Sequence, residues 1–256
     1  MYRKLTFIDT LILSILILSA CNLPARQVNQ LKAPTQTDLI QPEASPTPAN
    51  LCANQYFPGT LGDAWEYSGS NTALGAYTRT DAVTSSSAEA FSVDTTISSL
   101  TYRVNYACTS AGLIANDPVQ QYAGALLSAP NAPISVRLSS NSGLTLPPVI
   151  NPGDTWQQSA DFEASSPDFN LSGRFVFNYT AVGYENVTVP FGAFNALRVD
   201  ATIRIEVSGF RILAGTYTTS TWMVPEIGVV KSEGISHIPG VEFTDGIQLT
   251  KYSSTP

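Results

Sequence analysis

The chain has one histidine, two methionines and three cysteines in 256 residues, and only 13% of it is charged. A single histidine, His237, cannot build a multi-histidine zinc site. It could serve a serine nucleophile, but no Gly-x-Ser-x-Gly elbow occurs, and the turn residues that flank His237, Gly234, Pro239 and Gly240, point to a loop or packing role. Basic side chains number 13 against 20 acidic ones, for a net charge of −7, and no Lys/Arg cluster is present. That balance lacks the electrostatic footprint for phosphate backbones and excludes nucleic acid as a partner. A membrane-spanning apolar run is also missing. Crossing the hydrocarbon layer takes about 20 apolar residues, and the run from Leu11 to Leu18, even extended back to Leu5 past Asp9, falls short. No cofactor and no bound metal are expected.

What is present at the amino terminus is an address. Arg3 and Lys4 precede the apolar run, and small residues lead up to Cys21, which is the order of an export signal. The ending Leu18-Ser19-Ala20-Cys21 resembles the signal of bacterial lipoproteins. The resemblance implies cleavage between Ala20 and Cys21, removal of residues 1–20, and a diacylglyceryl group on the Cys21 sulfur. Each buried methylene contributes about 0.8 kcal/mol, so two chains anchor stably where one binds marginally. Once Arg3, Lys4 and Asp9 have left, 11 basic and 19 acidic side chains remain. Anionic lipid would repel such a chain, so attachment to a membrane, inner or outer, must rest on the lipid at Cys21.

Residues 21–50 hold Pro24, Pro34, Pro42, Pro46 and Pro48 among Gln, Thr, Ser and Ala, the composition of a disordered tether. As a flexible coil it would span roughly 30 Å. With Cys21 assigned to lipid, Cys52 and Cys108 remain as an even pair in an exported chain, which favours a disulfide. Two buried free thiols are the alternative.

From residue 51 to residue 256 the dominant signal is period-two alternation between Gly, Pro, Asn and Ser clusters. Phe91, Val93 and Ile97 alternate with polar residues, as do Tyr102, Val104 and Tyr106, with Cys108 continuing on the aromatic side. Phe169, Leu171, Phe175, Phe177 and Tyr179 repeat the pattern, and Leu197, Val199, Ala201, Ile203, Ile205 and Val207 give its clearest instance. One face of each strand thus meets a core and the other water, the habit of antiparallel sheets. The expected fold is one all-β domain, its sheets curved into a sandwich or open barrel. Gly62-Asp63-Ala64-Trp65 and Gly153-Asp154-Thr155-Trp156 repeat one pattern and suggest two related halves, 51–140 and 141–256. Only Asp117 to Ser128 reads as short helix or loop.

Three segments carry a further resemblance: Gly62-Asp63-Ala64-Trp65-Glu66-Tyr67, Val187 through Val199 with its Pro190-Phe191-Gly192 turn, and Trp222 through Ser232 with its Pro225-Glu226-Ile227-Gly228 turn. Together they resemble a group of exported bacterial β-domains, the TapB-like group. Phe191 departs from the small residue usual between Pro and Gly. The resemblance implies a curved antiparallel sheet and a non-catalytic habit, and it implies no substrate.

Candidates for chemistry are few. Asp63 and Asp154 stand at matching points of the repeat and are the pair a glycosidase would need, but an Asp in this position commonly bonds its own turn. Asp161, Glu163 and Asp168 form a looser acidic group without the loop spacing of a calcium site. Trp65, Trp156 and Trp222 would make a platform for sugar rings if exposed in a row; core is the commoner fate of such residues. Trp222 is out of phase with Tyr217 and Met223, which leaves its facing open. The expectation is a membrane-anchored, non-enzymatic lipoprotein that presents a binding or scaffolding surface to an envelope protein, glycan or lipid. The alternatives are a carrier of lipid or another apolar ligand, and a carboxylate-dependent hydrolase of envelope polysaccharide.

Overall fold

A computed structural model describes residues 50–118, 135–166, 169–208, 215–238 and 241–254. The leader, Cys21, the tether, Asp168 and most of the Asp117 to Ser128 segment lie outside these residues. The described part is all-β. Its strands are β1 (Ala64–Asn71), β2 (Gly75–Ser86), β3 (Ala90–Ile97), β4 (Leu100–Thr109), β5 (Gly112–Ala115), β6 (Ser135–Gly143), β7 (Thr155–Ser166), β8 (Phe169–Val189), β9 (Gly192–Val207), β10 (Gly215–Val224), β11 (Gly228–Ile238) and β12 (Val241–Ser253).

All twelve form one antiparallel sheet in the order β5-β4-β3-β2-β1-β12-β11-β10-β9-β8-β7-β6. Strands adjacent in the sheet are neighbours in the chain except at one place, where the first strand meets the last: Trp65 lies opposite Tyr252 and Asn71 opposite Asp245. The 140/141 boundary between the two expected halves falls inside β6.

The sheet curls into a nearly closed barrel, and polar side chains draw its edges together. Leu113 on β5 exchanges backbone bonds with Leu146, just past β6. The buried Gln158 of β7 donates to the Ala115 carbonyl and to Asn141 Oδ1, both at 3.0 Å, and accepts from Thr145 Oγ1 at 2.8 Å. Asn141 Nδ2 reaches the same Ala115 carbonyl, and Thr145 Oγ1 accepts from the Ala115 amide.

Alternation along the strands follows from this closure, since every second side chain points inside. Leu197, Val199, Ala201 and Ile203 are buried on β9 while the residues between them are half-exposed or exposed. One end of the barrel is filled by the chain before β1. Cys52 and Tyr56 are buried there, Gln55 accepts from the Glu226 amide, Tyr56 Oη meets Tyr184 Oη at 2.9 Å, and Trp65 Nε1 donates to the Ile227 carbonyl. A disulfide joins Cys52 to Cys108 of β4 across a Cα separation of 5.0 Å, fastening this plug to the barrel wall.

Candidate functional site: a cavity inside the barrel

Beyond the plug, the barrel interior is not filled. A cavity of about 250 Å³ remains, walled by Trp65, Tyr67, Val93, Val104, Ile203 and Met223, among others. Its polar groups come from several strands, β1, β2, β3, β10, β11 and β12 among them. On β2, Tyr77, Arg79, Asp81 and Val83 share the inward face, and Arg79 and Asp81 line the cavity. Arg79 holds Asp81 in a two-pronged bond, Nε to Oδ1 and Nη2 to Oδ2, each 2.9 Å. Only 12% of the Asp81 side chain and 22% of the Arg79 side chain is accessible. Burial works against the Arg79 charge, but the adjacent Asp81 carboxylate outweighs it, and the guanidinium stays well above its ordinary range.

Around this pair stand three phenols. The Arg79 guanidinium lies over the Tyr67 ring, 5.8 Å from its centre, and Tyr67 Oη donates to the Val229 carbonyl. Burial, followed by the Asp81 charge, pushes the Tyr67 phenol well up. Tyr102, paired with Thr95 on β3, has a buried hydroxyl, and burial raises its pKa. Tyr77 Oη donates to both oxygens of Asp245 on β12, at 2.9 and 3.2 Å, and burial followed by the Asp245 charge raises it too. Asp245 also accepts from Asn71 Nδ2 at 3.1 Å. On β10 and β11, Thr219, Thr221 and Ser232 pair their hydroxyls with one another. The arrangement can hold a small ligand through an apolar wall and a few fixed polar groups, the usual make-up of a binding pocket.

Comparison with solved structures matches this barrel to a protein from Bacteroides fragilis, provisionally described as exported and as having a YmcC-like fold. The TM-score is 0.54 at 14% identity, over 79% of this chain and 100% of that one. The fold is YmcC-like. A protein from Parabacteroides distasonis, provisionally described as a lipoprotein, matches with a TM-score of 0.53 at 13% identity, over 78% of this chain and 99% of its own. The hypothetical lipoprotein YmcC of Escherichia coli is a more distant likeness, with a TM-score of 0.38 at 8% identity. At such identities the likeness is one of fold. No protein-family model matches the chain, and no curated protein does.

The three tryptophans are not brought together. Trp65 is buried inside the barrel and stacks on Tyr252, its partner across β1 and β12, with ring centres 5.5 Å apart. Trp156 is half-buried and stacks on Tyr179 in the same way on β7 and β8. Trp222 is buried but faces outward, opposite Arg198 and Lys231 in register. Lys231 Nζ lies 4.4 Å from its ring centre, and its Nε1 donates to Glu185 Oε2. Trp222 and Met223 follow one another on β10 and point to opposite sides of the sheet, Met223 into the barrel and Trp222 under Lys231.

Asp63 and Asp154 each bond their own turn. Asp63 Oδ2 accepts from the Thr60 amide and Asp154 Oδ2 from the Asn151 amide. The repeat extends to the backbone: Gly62 and Gly153 both take positive φ, of 94° and 92°, and each Asp carbonyl accepts from a neighbouring strand, at Val83 and Ala181. The two carboxylates stand just before β1 and β7, strands six apart in the sheet.

Asp161 is clamped by Arg174 and Ser140, whose hydrogen bonds hold its carboxyl down to about 2. Glu163 is exposed, and the described residues hold no group of three or more metal-ligating side chains. His237, expected in a loop or a packing role, is instead an exposed residue within β11, opposite Thr216 and Glu242. Turn residues around it misled: Gly234 is a strand position where the Tyr217 ring lies over the backbone.

Sequence reasoning missed Arg79, Asp81, Asp245 and the Thr/Ser trio. The signal available was their phase: Arg79 and Asp81 run in step with Tyr77 and Val83, and Asp245 with Phe243 and Ile247.

Proposed function

We propose that this chain is an exported, lipid-anchored, non-enzymatic binding protein that carries a small ligand inside its barrel. The observation that carries this reading is the cavity of about 250 Å³ with apolar walls and a buried Arg79–Asp81 pair. It favours the carrier of an apolar ligand over a module working through its outer face. That face is occupied by paired charges: Arg103 with Asp94, Arg174 with Asp161, Arg198 with Asp200 and Glu185, and Lys251 with Glu66. Export is supported by the leader, and by the descriptions of the Bacteroides fragilis and Parabacteroides distasonis proteins. The likeness to TapB-like exported β-domains points the same way. A non-catalytic role is supported by the two turn-bound aspartates, which leave a hydrolase without its candidate pair.

Two measurements test the reading. In cells fed a clickable fatty acid, the full chain should take up label that Cys21→Ser loses; label retained in Cys21→Ser removes the anchor from the proposal. The mature chain with Cys21→Ser, examined by native mass spectrometry, should carry a small molecule that Thr221→Phe, which fills the cavity, releases. A wild-type barrel of bare mass that binds no apolar probe would overturn the carrier reading.

A further inference from the structure

The charges inside the cavity go further than its volume and select the ligand's head group. This step rests on the interior-binding reading above. Among the described residues, three charged side chains line the cavity: Arg79, Asp81 and Asp245. Arg79 and Asp81 cancel, because the guanidinium spends two of its donors on both oxygens of the carboxylate. Asp245 is left over. Its partners, Tyr77 Oη and Asn71 Nδ2, are neutral, so they solvate the negative charge without cancelling it, and among the described residues no second basic side chain lines the cavity. The described lining therefore carries one carboxylate in excess, at the end of the barrel away from the plug, where β1 turns into β2.

Aromatic rings surround that charge. Tyr77 touches it, Phe243 sits two residues away on the same face of β12, and Tyr217 packs at a tilt against Phe243 with ring centres 6.0 Å apart. The Tyr217 hydroxyl lies over Gly234, the residue paired with Asp245 across β11 and β12. A carboxylate bordered by aromatic rings attracts a cation through charge and through the ring faces together. In a low-dielectric interior it repels an anion correspondingly. The whole chain, with a net charge of −7, steers in the same direction. The volume sets the other limit. At about 250 Å³ it lies just under the 300–1,000 Å³ or so typical of sites for drug-sized ligands, so there is room for one short chain or ring and none for a two-chain lipid.

We infer that the barrel binds a small amphipathic amine, its protonated nitrogen against Asp245 and its apolar part among Val93, Val104, Ile203 and Met223. A fatty acid, the commoner apolar cargo, is disfavoured by the same charge.

Three probes of equal chain length test this: n-hexylamine, 1-hexanol and hexanoate, titrated into the mature Cys21→Ser chain at neutral pH and followed by calorimetry and by NMR shifts of the Met223 and Val93 methyls. Hexylamine should bind at least roughly tenfold tighter than hexanol, and hexanoate weakest, since the charge-assisted and cation–π contacts are available to the amine alone. Asp245→Asn should erase the advantage of hexylamine over hexanol. Hexanoate binding as well as or better than hexylamine would overturn the head-group inference while the interior-binding reading stood. No binding of any of the three would overturn both. The comparison of probes on the unsubstituted barrel needs no variant to fold.

Discussion

The pair Arg79–Asp81 gives the sharpest test of the interior. Asp81→Asn keeps shape and removes charge, which leaves the Arg79 guanidinium facing a cavity without its counter-ion. Breaking a buried pair from one side costs about 3–5 kcal/mol, because the remaining charge is uncompensated. The low end applies here, since 22% of the Arg79 side chain is accessible and water in the cavity can solvate part of it. For a domain of this size about 1 kcal/mol moves Tm by about 2–4 °C, so a loss of about 3 kcal/mol should lower it by roughly 6–12 °C. Urea unfolding of the mature Cys21→Ser chain, read through tryptophan fluorescence, measures the free energy directly. Replacing both members, Arg79→Met with Asp81→Leu, should cost less than Asp81→Asn alone, as an apolar pair restores compensation. Should Asp81→Asn cost under about 1 kcal/mol, the pair behaves as a surface salt bridge, and the account of a buried, mutually compensating Arg79–Asp81 pair is wrong.

Removing the disulfide with Cys52→Ser and Cys108→Ser, which frees a loop closed over 56 residues, should cost up to about 4 kcal/mol in the chain-entropy model. Limited proteolysis should then cut residues 50–63 before the barrel, and an unchanged urea midpoint with an intact plug would contradict the fastening role. Gln158→Leu deletes the centre of the seam and leaves Asn141 Oδ1 without its donor and the Thr145 hydroxyl without its acceptor; a loss of about 2–4 kcal/mol, at 1–3 per unsatisfied group, should come with faster amide exchange in β5, and normal protection there would refute the clamp. The Asp161 carboxyl should titrate near 2 by NMR and move up towards its ordinary value, about 3.9, in Arg174→Gln. The sign follows from that downward shift: the stabilisation by this pair is complete above the unfolded value and disappears as pH falls through 2. A midpoint unmoved by Arg174→Gln would show that Arg174 is not what lowers it.

How far the fold could be read depended on what each strand meets inside. Along β9 the interior is apolar, and Leu197, Val199, Ala201 and Ile203 announce it. β2 is the opposite case. Its inward residues are Tyr77, Arg79, Asp81 and Val83, so the rule that charges mark the solvent face inverts, and the strand passes for polar linker. Thr95, Thr219 and Thr221 hide for the same reason, being inward-facing polar residues on strands whose neighbours look more informative. The seam was beyond reach, since Gln158, Asn141 and Thr145 acquire their role only through Ala115, 26 to 43 positions away. The Gly-Asp-x-Trp repeat was legible because its chemistry is local: a positive-φ glycine, an aspartate bonding back three residues, and an indole stacking on the opposite tyrosine need only the short segment and one neighbouring strand.

Twelve strands explain why a cavity exists at all. Barrel diameter grows with strand number, and about eight strands already give an interior that side chains just fill or that admits one small ligand. Four more strands leave surplus room. This chain closes part of it at one end with residues before β1, held by Cys52–Cys108, by the Gln55–Glu226 backbone bond and by Trp65 reaching Ile227. Large inward aromatic residues narrow the rest, and two of them lie over glycines: a Cβ on Gly69 or Gly234 would run into the ring of Tyr77 or the hydroxyl of Tyr217. What they leave is lined by groups that an unliganded core would not need. A buried ion pair is no more stabilising than a well-packed apolar replacement, so stability alone does not account for Arg79 and Asp81, nor for Asp245 beside them. Their placement on the inward faces of β2 and β12, two strands apart across β1, concentrates charge on one side of the cavity and leaves the opposite wall of Ile203, Ile205 and Met223 apolar. An interior that is charged on one side and apolar on the other orients whatever enters it, and that asymmetry is what the three-probe comparison and Asp245→Asn measure.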